Sequence, residues 1–180
     1  MTWYRGCGAT FLPMMSRRRD VSVELRLLDS IAAHRLGVDL AGILRAGDLV
    51  LLIGPLGAGK TTLTQGIGAG LRVRGPITSP TFVIARVHPS LIDGPPLVHV
   101  DAYRVGGVVE VDDLDLDASI AASVTVVEWG EGKFEQLNPD RLELRIDRSL
   151  GAGDETRTVV AIGIGPRWEG VDLAAALDRE

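Results

Sequence analysis

Leu49-Val50-Leu51-Leu52-Ile53, running into Gly54-Pro55-Leu56-Gly57-Ala58-Gly59-Lys60-Thr61, is the stretch on which the reading of this chain turns. A run of apolar residues without alternation suits a strand buried on both faces, as in a parallel sheet. The octapeptide that follows matches G-x-x-x-x-G-K-[ST] at every fixed position. Residue frequencies alone give that pattern roughly a 1% chance of arising in a chain of this length. Its placement sharpens the signal, because it leaves a buried strand and opens a helix with Leu63, Ile67 and Leu71 on one face. Glycines let the backbone turn its N–H groups inward onto phosphate oxygens, and the helix N-terminus adds a favourable dipole. Lys60 supplies a mobile point charge for the β- and γ-phosphates, and the Thr61 hydroxyl is a ligand for Mg²⁺. Gly54, Leu56, Gly57, Ala58, Gly59, Lys60, Thr61 and Thr62 are therefore the expected nucleotide-binding residues. Gly66, Gly68 and Gly70 each cost the following helix up to about 1 kcal/mol relative to alanine, so tertiary packing must stabilise it.

A metal held by one hydroxyl and phosphate oxygens wants a carboxylate nearby, and P-loop proteins place it at the end of a strand beside the loop's own strand. Val124-Thr125-Val126-Val127 ending in Glu128 has that form. Asp101 is the second candidate for the metal or for an attacking water. On an extended strand His99, Asp101 and Tyr103 share one face with neighbours about 7 Å apart, so one polar cluster is expected. His99 reads there as a core or supporting residue in preference to a base.

Outward from this centre, Leu28, Ile31, Ala32 and Leu36 predict an amphipathic helix over Arg26–Leu36, and Gly47-Asp48 a turn before the buried strand. Thr81–Val87 and Leu97–Tyr103 read as strands, joined across the proline- and glycine-rich His88–Pro96 as a hairpin. Val108–Ile120 is acidic and partly helical in pattern. Leu142, Leu144 and Ile146 alternate with Arg141, Glu143, Arg145 and Asp147, which predicts a strand with one wet face. Arg157–Ile164 pairs with it across a Ser149–Asp154 turn, and Val171–Leu177 closes the chain as a short helix. There is no internal repeat. The expected fold is α/β, a P-loop NTPase-like mixed sheet flanked by helices, parallel around the nucleotide and ending in a C-terminal antiparallel hairpin. Residues 21–180 are read as one domain, and residues 1–20 as a disordered tail in which Met14 or Met15 is an alternative start.

The 180-residue chain is long enough to bury a core, and no run approaches the ~18 apolar residues of a membrane span. With Cys7 as the only cysteine, no intrachain disulfide can form, which points to a reducing, cytoplasmic setting. A net charge of −5 argues against gripping nucleic acid by bulk electrostatics. Of 19 basic residues only Lys60 and Lys133 are lysines, which makes the ammonium at position 60 conspicuous.

Three classes of P-loop protein compete. A GTPase would carry an N-K-x-D element, but no K-x-D occurs here, so adenine is the expected base. A small-molecule kinase would carry an arginine-bearing lid, yet Val105–Val127 holds neither arginine nor lysine. The third class is an ATPase that drives a protein partner. At this point the motifs resemble the bacterial TsaE ATPase family of tRNA threonylcarbamoyladenosine synthesis, also called the YjeE family. The resemblance rests on Gly54–Thr62, Ser79-Pro80-Thr81-Phe82, His99–Arg104 and Glu128-Trp129, in the family's order and approximate spacing.

The resemblance implies that Lys60 binds phosphate, that Thr61 and Glu128 hold Mg²⁺, and that Asp101 is a functional carboxylate. It implies that Thr81 lies in a switch-like loop facing the γ-phosphate; turn chemistry after Ser79-Pro80 is the other reading. Trp129 is implied near the nucleotide or partner surface, with a core aromatic as the alternative, and Tyr103 and Arg104 also suit ordinary strand positions. Partners implied are TsaB and TsaD, with tRNA reached only through that complex, and the cofactors are ATP and Mg²⁺. The segments 1–20 and 151–180 carry little of the likeness.

Overall fold

The computed structural model describes residues 21–79, 85–104, 120–148 and 155–177. The expected tail, the acidic segment before Ile120, the Ser149–Asp154 turn and Thr81 lie outside or largely outside them. Among the described residues one seven-stranded sheet has the order β1-β7-β6-β2-β5-β4-β3. Its strands are β1 (Val21–Leu27), β2 (Leu49–Ile53), β3 (Ala85–His88), β4 (Leu97–Asp101), β5 (Val124–Glu128), β6 (Arg141–Arg148) and β7 (Arg157–Ile164). The helices are α1 (Ser30–Ala41), α2 (Lys60–Gly70) and the short α3 (Leu173–Leu177). No described helix is long and apolar enough to cross a membrane.

β2 is parallel to both β5 and β6, and β4 is parallel to β5. The outer pairings β6–β7, β1–β7 and β3–β4 are antiparallel. This is the mixed α/β sheet the sequence predicts, including both hairpins. The reason β2 does not alternate is visible in its packing. Val50 and Leu52 face a core built with α1 and α2, while Leu49 and Leu51 face a second core with Val98, Val100, Val127 and Phe134. Each fully buried leucine contributes about 1.5–3 kcal/mol by leaving water. The strand's entry is fixed by Asp48, which accepts from both Nε and Nη2 of Arg167 at 2.8 Å and from the Arg45 N–H at 2.9 Å. A bidentate arginine gives this joint a defined geometry.

Three expectations need correction. The helix over Arg26–Leu36 starts later, because Asp29 caps it by accepting from the Ala32 N–H at 2.7 Å. Its buried face is Ala33, Leu36, Gly37 and Leu40, whereas Leu28 and Ile31 are exposed. The residues before the cap form β1, where Val21, Val23, Leu25 and Leu27 alternate with more exposed Ser22, Glu24 and Arg26. Leu97–Tyr103 is also too long a strand: β4 ends at Asp101 and the chain enters a 3-10 turn over Ala102–Arg104. Finally, the wet face of β6 is only partly wet, since Glu143 is buried and paired to Arg141 and Arg145, each at 3.0 Å.

The glycines of α2 are explained by close approach. A Cβ on Gly66 would collide with the His34 carbonyl oxygen and stand 2.9 Å from Gly37 Cα, so α1 and α2 touch backbone to backbone. Cβ atoms at Gly68 and Gly70 would likewise run into Ile77 and Ala41. Gly66→Ala is therefore expected to destabilise the protein by about 1–3 kcal/mol through overpacking, despite the ~1 kcal/mol gain in helix propensity. The urea midpoint should fall; an unchanged or raised midpoint would show that the two helices can part without cost.

Candidate functional site

The carboxyl ends of β2, β4 and β5 point the same way, and β2 sits where the chain's parallel connections diverge, the usual position of a ligand crevice in such sheets. From Ile53 the chain passes through Gly54–Gly59 into α2. Gly59 is the cap residue of that helix at φ +102, a conformation L side chains rarely adopt, and it provides no side-chain cap. The first N–H groups of α2 are thereby left facing the crevice, as an anion site requires.

Four ionisable side chains converge on it. Lys60 Nζ donates to the carbonyls of Gly54 at 2.8 Å and Pro55 at 2.9 Å, and lies 3.7 Å from the centroid of the Trp129 ring. Burial lowers the Lys60 pKa from its ordinary value, while Glu128 and then Asp101 act to raise it. Glu128, at the end of β5, is buried and receives hydrogen bonds from Thr61 Oγ1 at 3.1 Å and Thr64 Oγ1 at 3.4 Å. His99 Nε2 meets its other side, 2.9 Å from Oε1. Asp101 stands opposite Glu128 in the parallel register of β4 and β5. It accepts from Ser79 Oγ at 2.8 Å and from the Tyr103 N–H at 3.1 Å.

The polar cluster expected on one face of β4 is therefore divided. His99 belongs to Glu128, and the Tyr103 side chain turns away with the 3-10 turn to an exposed position, edge-on to Trp129 at 5.4 Å between centroids. Trp129 itself is half-buried at φ +63; it closes over Lys60 and also packs against the second core, so it combines the two expected placements.

These groups surround a cavity of about 530 Å³. Leu56, Gly57, Ala58, Gly59, Lys60, Thr61, Thr62, Asp101, Glu128 and Trp129 all line it, so the structure brings together most of the residues selected from the sequence. Gly54 instead lines an adjacent cavity of about 480 Å³ beyond Trp129, together with Pro55 and Lys133. Ser79, Tyr103 and Arg157 also line the larger one. Arg157 is the residue sequence reasoning missed, and no motif spacing signals it.

The donor set fits a magnesium–polyphosphate pair. Gly57 and Gly59 at positive φ leave the loop free of side-chain bulk on its inner side. The hydroxyl of Thr61 already contacts Glu128, which puts two hard oxygen donors side by side at the start of α2. Among the described residues no group of three or more His, Cys, Asp or Glu is placed to hold a metal by itself. A hydroxyl and one or two carboxylates instead suit a cation whose remaining ligands are phosphate oxygens and water.

Comparison with known proteins agrees with this architecture. The family described as "Threonylcarbamoyl adenosine biosynthesis protein TsaE" matches residues 28–159. A tRNA threonylcarbamoyladenosine biosynthesis protein TsaE from Streptomyces coelicolor is 67% identical over 143 residues, covering 78% of this chain and 97% of that protein. Its counterpart of the same name from Mycobacterium leprae is 47% identical over 130 residues, covering 68% of this chain and 79% of that protein. The crystal structure of YdiB from Bacillus subtilis superposes with a TM-score of 0.68 at 31% identity, covering 84% of this chain and 92% of that one.

Proposed function

The chain belongs to the threonylcarbamoyl adenosine biosynthesis protein TsaE family, and from that premise we propose that it is a Mg²⁺-dependent ATPase supporting turnover of a TsaB–TsaD complex. Its role lies in the biosynthesis of threonylcarbamoyladenosine in tRNA, the modified base next to the anticodon. The single observation that carries the ATPase reading is the convergence of Lys60, Thr61 and Glu128 at the mouth of one cavity, with Thr61 Oγ1 3.1 Å from Glu128 Oε2.

Bound Mg²⁺·ATP supplies a phosphoanhydride whose hydrolysis releases free energy. Everything else is the chain's own work. The loop N–H groups and the N-terminus of α2 would hold the phosphates, and Lys60, which donates to the Gly54 and Pro55 carbonyls, would neutralise them. Thr61 and Glu128 would hold the metal. His99, buried and hydrogen-bonded to Oε1, keeps the Glu128 carboxylate turned towards Thr61. Asp101, fixed by Ser79 and the Tyr103 N–H, stands at the cavity wall as the second carboxylate, serving the metal or an attacking water.

The link to a partner rests on two features. Ser79, the first residue of the Ser79-Pro80-Thr81-Phe82 motif, bonds Asp101 through its hydroxyl, which couples that residue to the carboxylate beside the phosphates. The net charge of −5 suits a protein that leaves the gripping of tRNA to its partners. The test mixes the chain with TsaB, TsaD, tRNA, threonylcarbamoyl-adenylate and ATP, and counts modified tRNA per complex. Repeated turnover should require this chain and ATP. Equal cycling without it, or efficient phosphorylation of a small molecule by the chain alone, would overturn the assignment.

A further inference from the structure

The two carboxylates that line the cavity lie on one side of the phosphate loop. Glu128 and Asp101 come from β5 and β4, to one side of β2 in the sheet. On the other side, β6 runs parallel to β2 with Arg145 opposite Ile53, so the next residues of β6 carry it alongside the loop. Its last residue, Arg148, stands opposite Arg157, the first residue of β7. The hairpin end thus presents two arginines to the loop at the same level.

Both are turned towards it. Arg157 Nε donates to the Ala58 carbonyl at 3.0 Å, and a Cβ on Gly59 would lie 3.3 Å from that nitrogen. A second donor of the same guanidinium goes to the Glu155 carbonyl. Arg148 Nη1 lies 3.7 Å from where a Cβ on Gly57 would stand. Arg157 is 8% exposed and lines the large cavity, yet among the described residues neither arginine takes part in an ion pair. Among the described residues the hydrogen bonds of the Arg157 guanidinium go to backbone carbonyls, and a buried cation so held is stabilised by an anion.

We propose that Arg157 and Arg148 form a guanidinium clasp that contacts the phosphates of the bound nucleotide from the hairpin side of the loop. The proposal rests on the reading of the cavity as a nucleotide site and adds to Lys60 two further cations of this chain. Lys60 neutralises one charge from the Trp129 side, and the metal is held among the carboxylates. The clasp supplies the remaining positive charge from the opposite side, where Arg157 is held ready by Ala58. It also replaces the arginine-bearing lid that Val105–Val127 does not contain.

The experiment is isothermal titration of wild type, Arg157→Gln, Arg157→Lys, Arg148→Gln and Lys60→Ala with Mg²⁺·ADP and with the Mg²⁺ complex of the non-hydrolysable imido analogue of ATP. Losing a charge-assisted contact to phosphate should weaken the triphosphate analogue about ten- to a hundredfold in Arg157→Gln. The loss should be smaller for ADP, and Arg157→Lys should recover part of it. Arg148→Gln, a change at an exposed position that leaves folding intact, should weaken the triphosphate several-fold and ADP less. Equal losses for both nucleotides in Arg157→Gln, with Arg148→Gln at wild-type affinity, would make Arg157 a mere support of the loop and overturn the clasp. So would wild-type affinity in both arginine variants while Lys60→Ala fails to bind, an outcome that leaves the nucleotide site standing. Should Arg157→Gln not fold, unchanged triphosphate affinity in Arg148→Gln overturns the proposal by itself. A wild-type protein that binds neither nucleotide refutes the site and the clasp together.

Discussion

Lys60→Ala is expected to weaken Mg²⁺·ATP binding by about a hundredfold, the size of a charge-assisted contact to phosphate in a partly desolvated site. The structure gives two reasons why nothing replaces it. Lys133, the only other lysine, extends towards the Ala102 carbonyl and lines the neighbouring cavity beyond Trp129. The arginines of the β6–β7 hairpin reach the loop from its other side, so neither takes the place of an ammonium beside Trp129. The lysine also has a role before any ligand arrives. Its bonds to the Gly54 and Pro55 carbonyls hold the first turn of the loop, and its ammonium sits over the Trp129 ring. The alanine variant therefore loses both the charge and a loop tether. Lys60→Arg should fail almost as badly, since a planar fork does not fit where a compact ammonium reaches two carbonyls and a ring face. Isothermal titration decides: wild-type affinity in Lys60→Ala would remove the phosphate loop from the mechanism.

How much of this was legible before folding depends on whether the signal is local. The β2–loop–α2 unit is a contiguous stretch whose pattern states its own environment, and it folds as read. Glu128 was legible because strand and carboxylate are adjacent in sequence. β1 goes unassigned in the sequence, apart from Arg26 and Leu27 taken into the helix, although its alternation is present in Val21–Leu27, because Leu28, Ile31 and Leu36 fall at helical spacing across the Asp29 cap and mask the boundary. Two of those three apolar residues proved exposed, so spacing alone did not identify the buried face.

The contacts that organise the site are of a different kind. His99 meets Glu128 across 29 positions, and only the parallel register of β4 with β5 brings them together. Arg157 reaches Ala58 across 99 positions because β6 lies beside β2 and β7 returns from its end. No sequence window contains either pair. Tyr103 illustrates the converse, a residue placed on a strand face by periodicity but removed from it when the strand stops at Asp101 and the next residue turns. Charged groups in this fold were thus identifiable as candidates from their neighbours in sequence, while their partners were fixed by strand order.

Glu128→Gln should lower ATP hydrolysis by about a hundredfold or more, while metal-free ATP binds as well as to wild type, or somewhat better. The contrast follows from what the substitution keeps. The amide has the shape of the carboxylate, so its oxygen can still meet His99 and its NH₂ can donate to the Thr61 hydroxyl. β5 is buried along its whole length and its pairing with β2 does not involve the side chain, so the fold should survive. What disappears is a negative charge beside Lys60, the largest influence raising that lysine's pKa. Without metal, that charge only repels phosphate, hence the undiminished binding. With Mg²⁺ it is a ligand, and a neutral amide oxygen is a poorer partner for a hard cation. Turnover and metal-free affinity, measured side by side at saturating Mg²⁺ and in chelator, separate these effects. Full activity in the glutamine variant would return Glu128 to a structural role and leave Asp101, held by Ser79 and the Tyr103 N–H at the same cavity, as the principal acid.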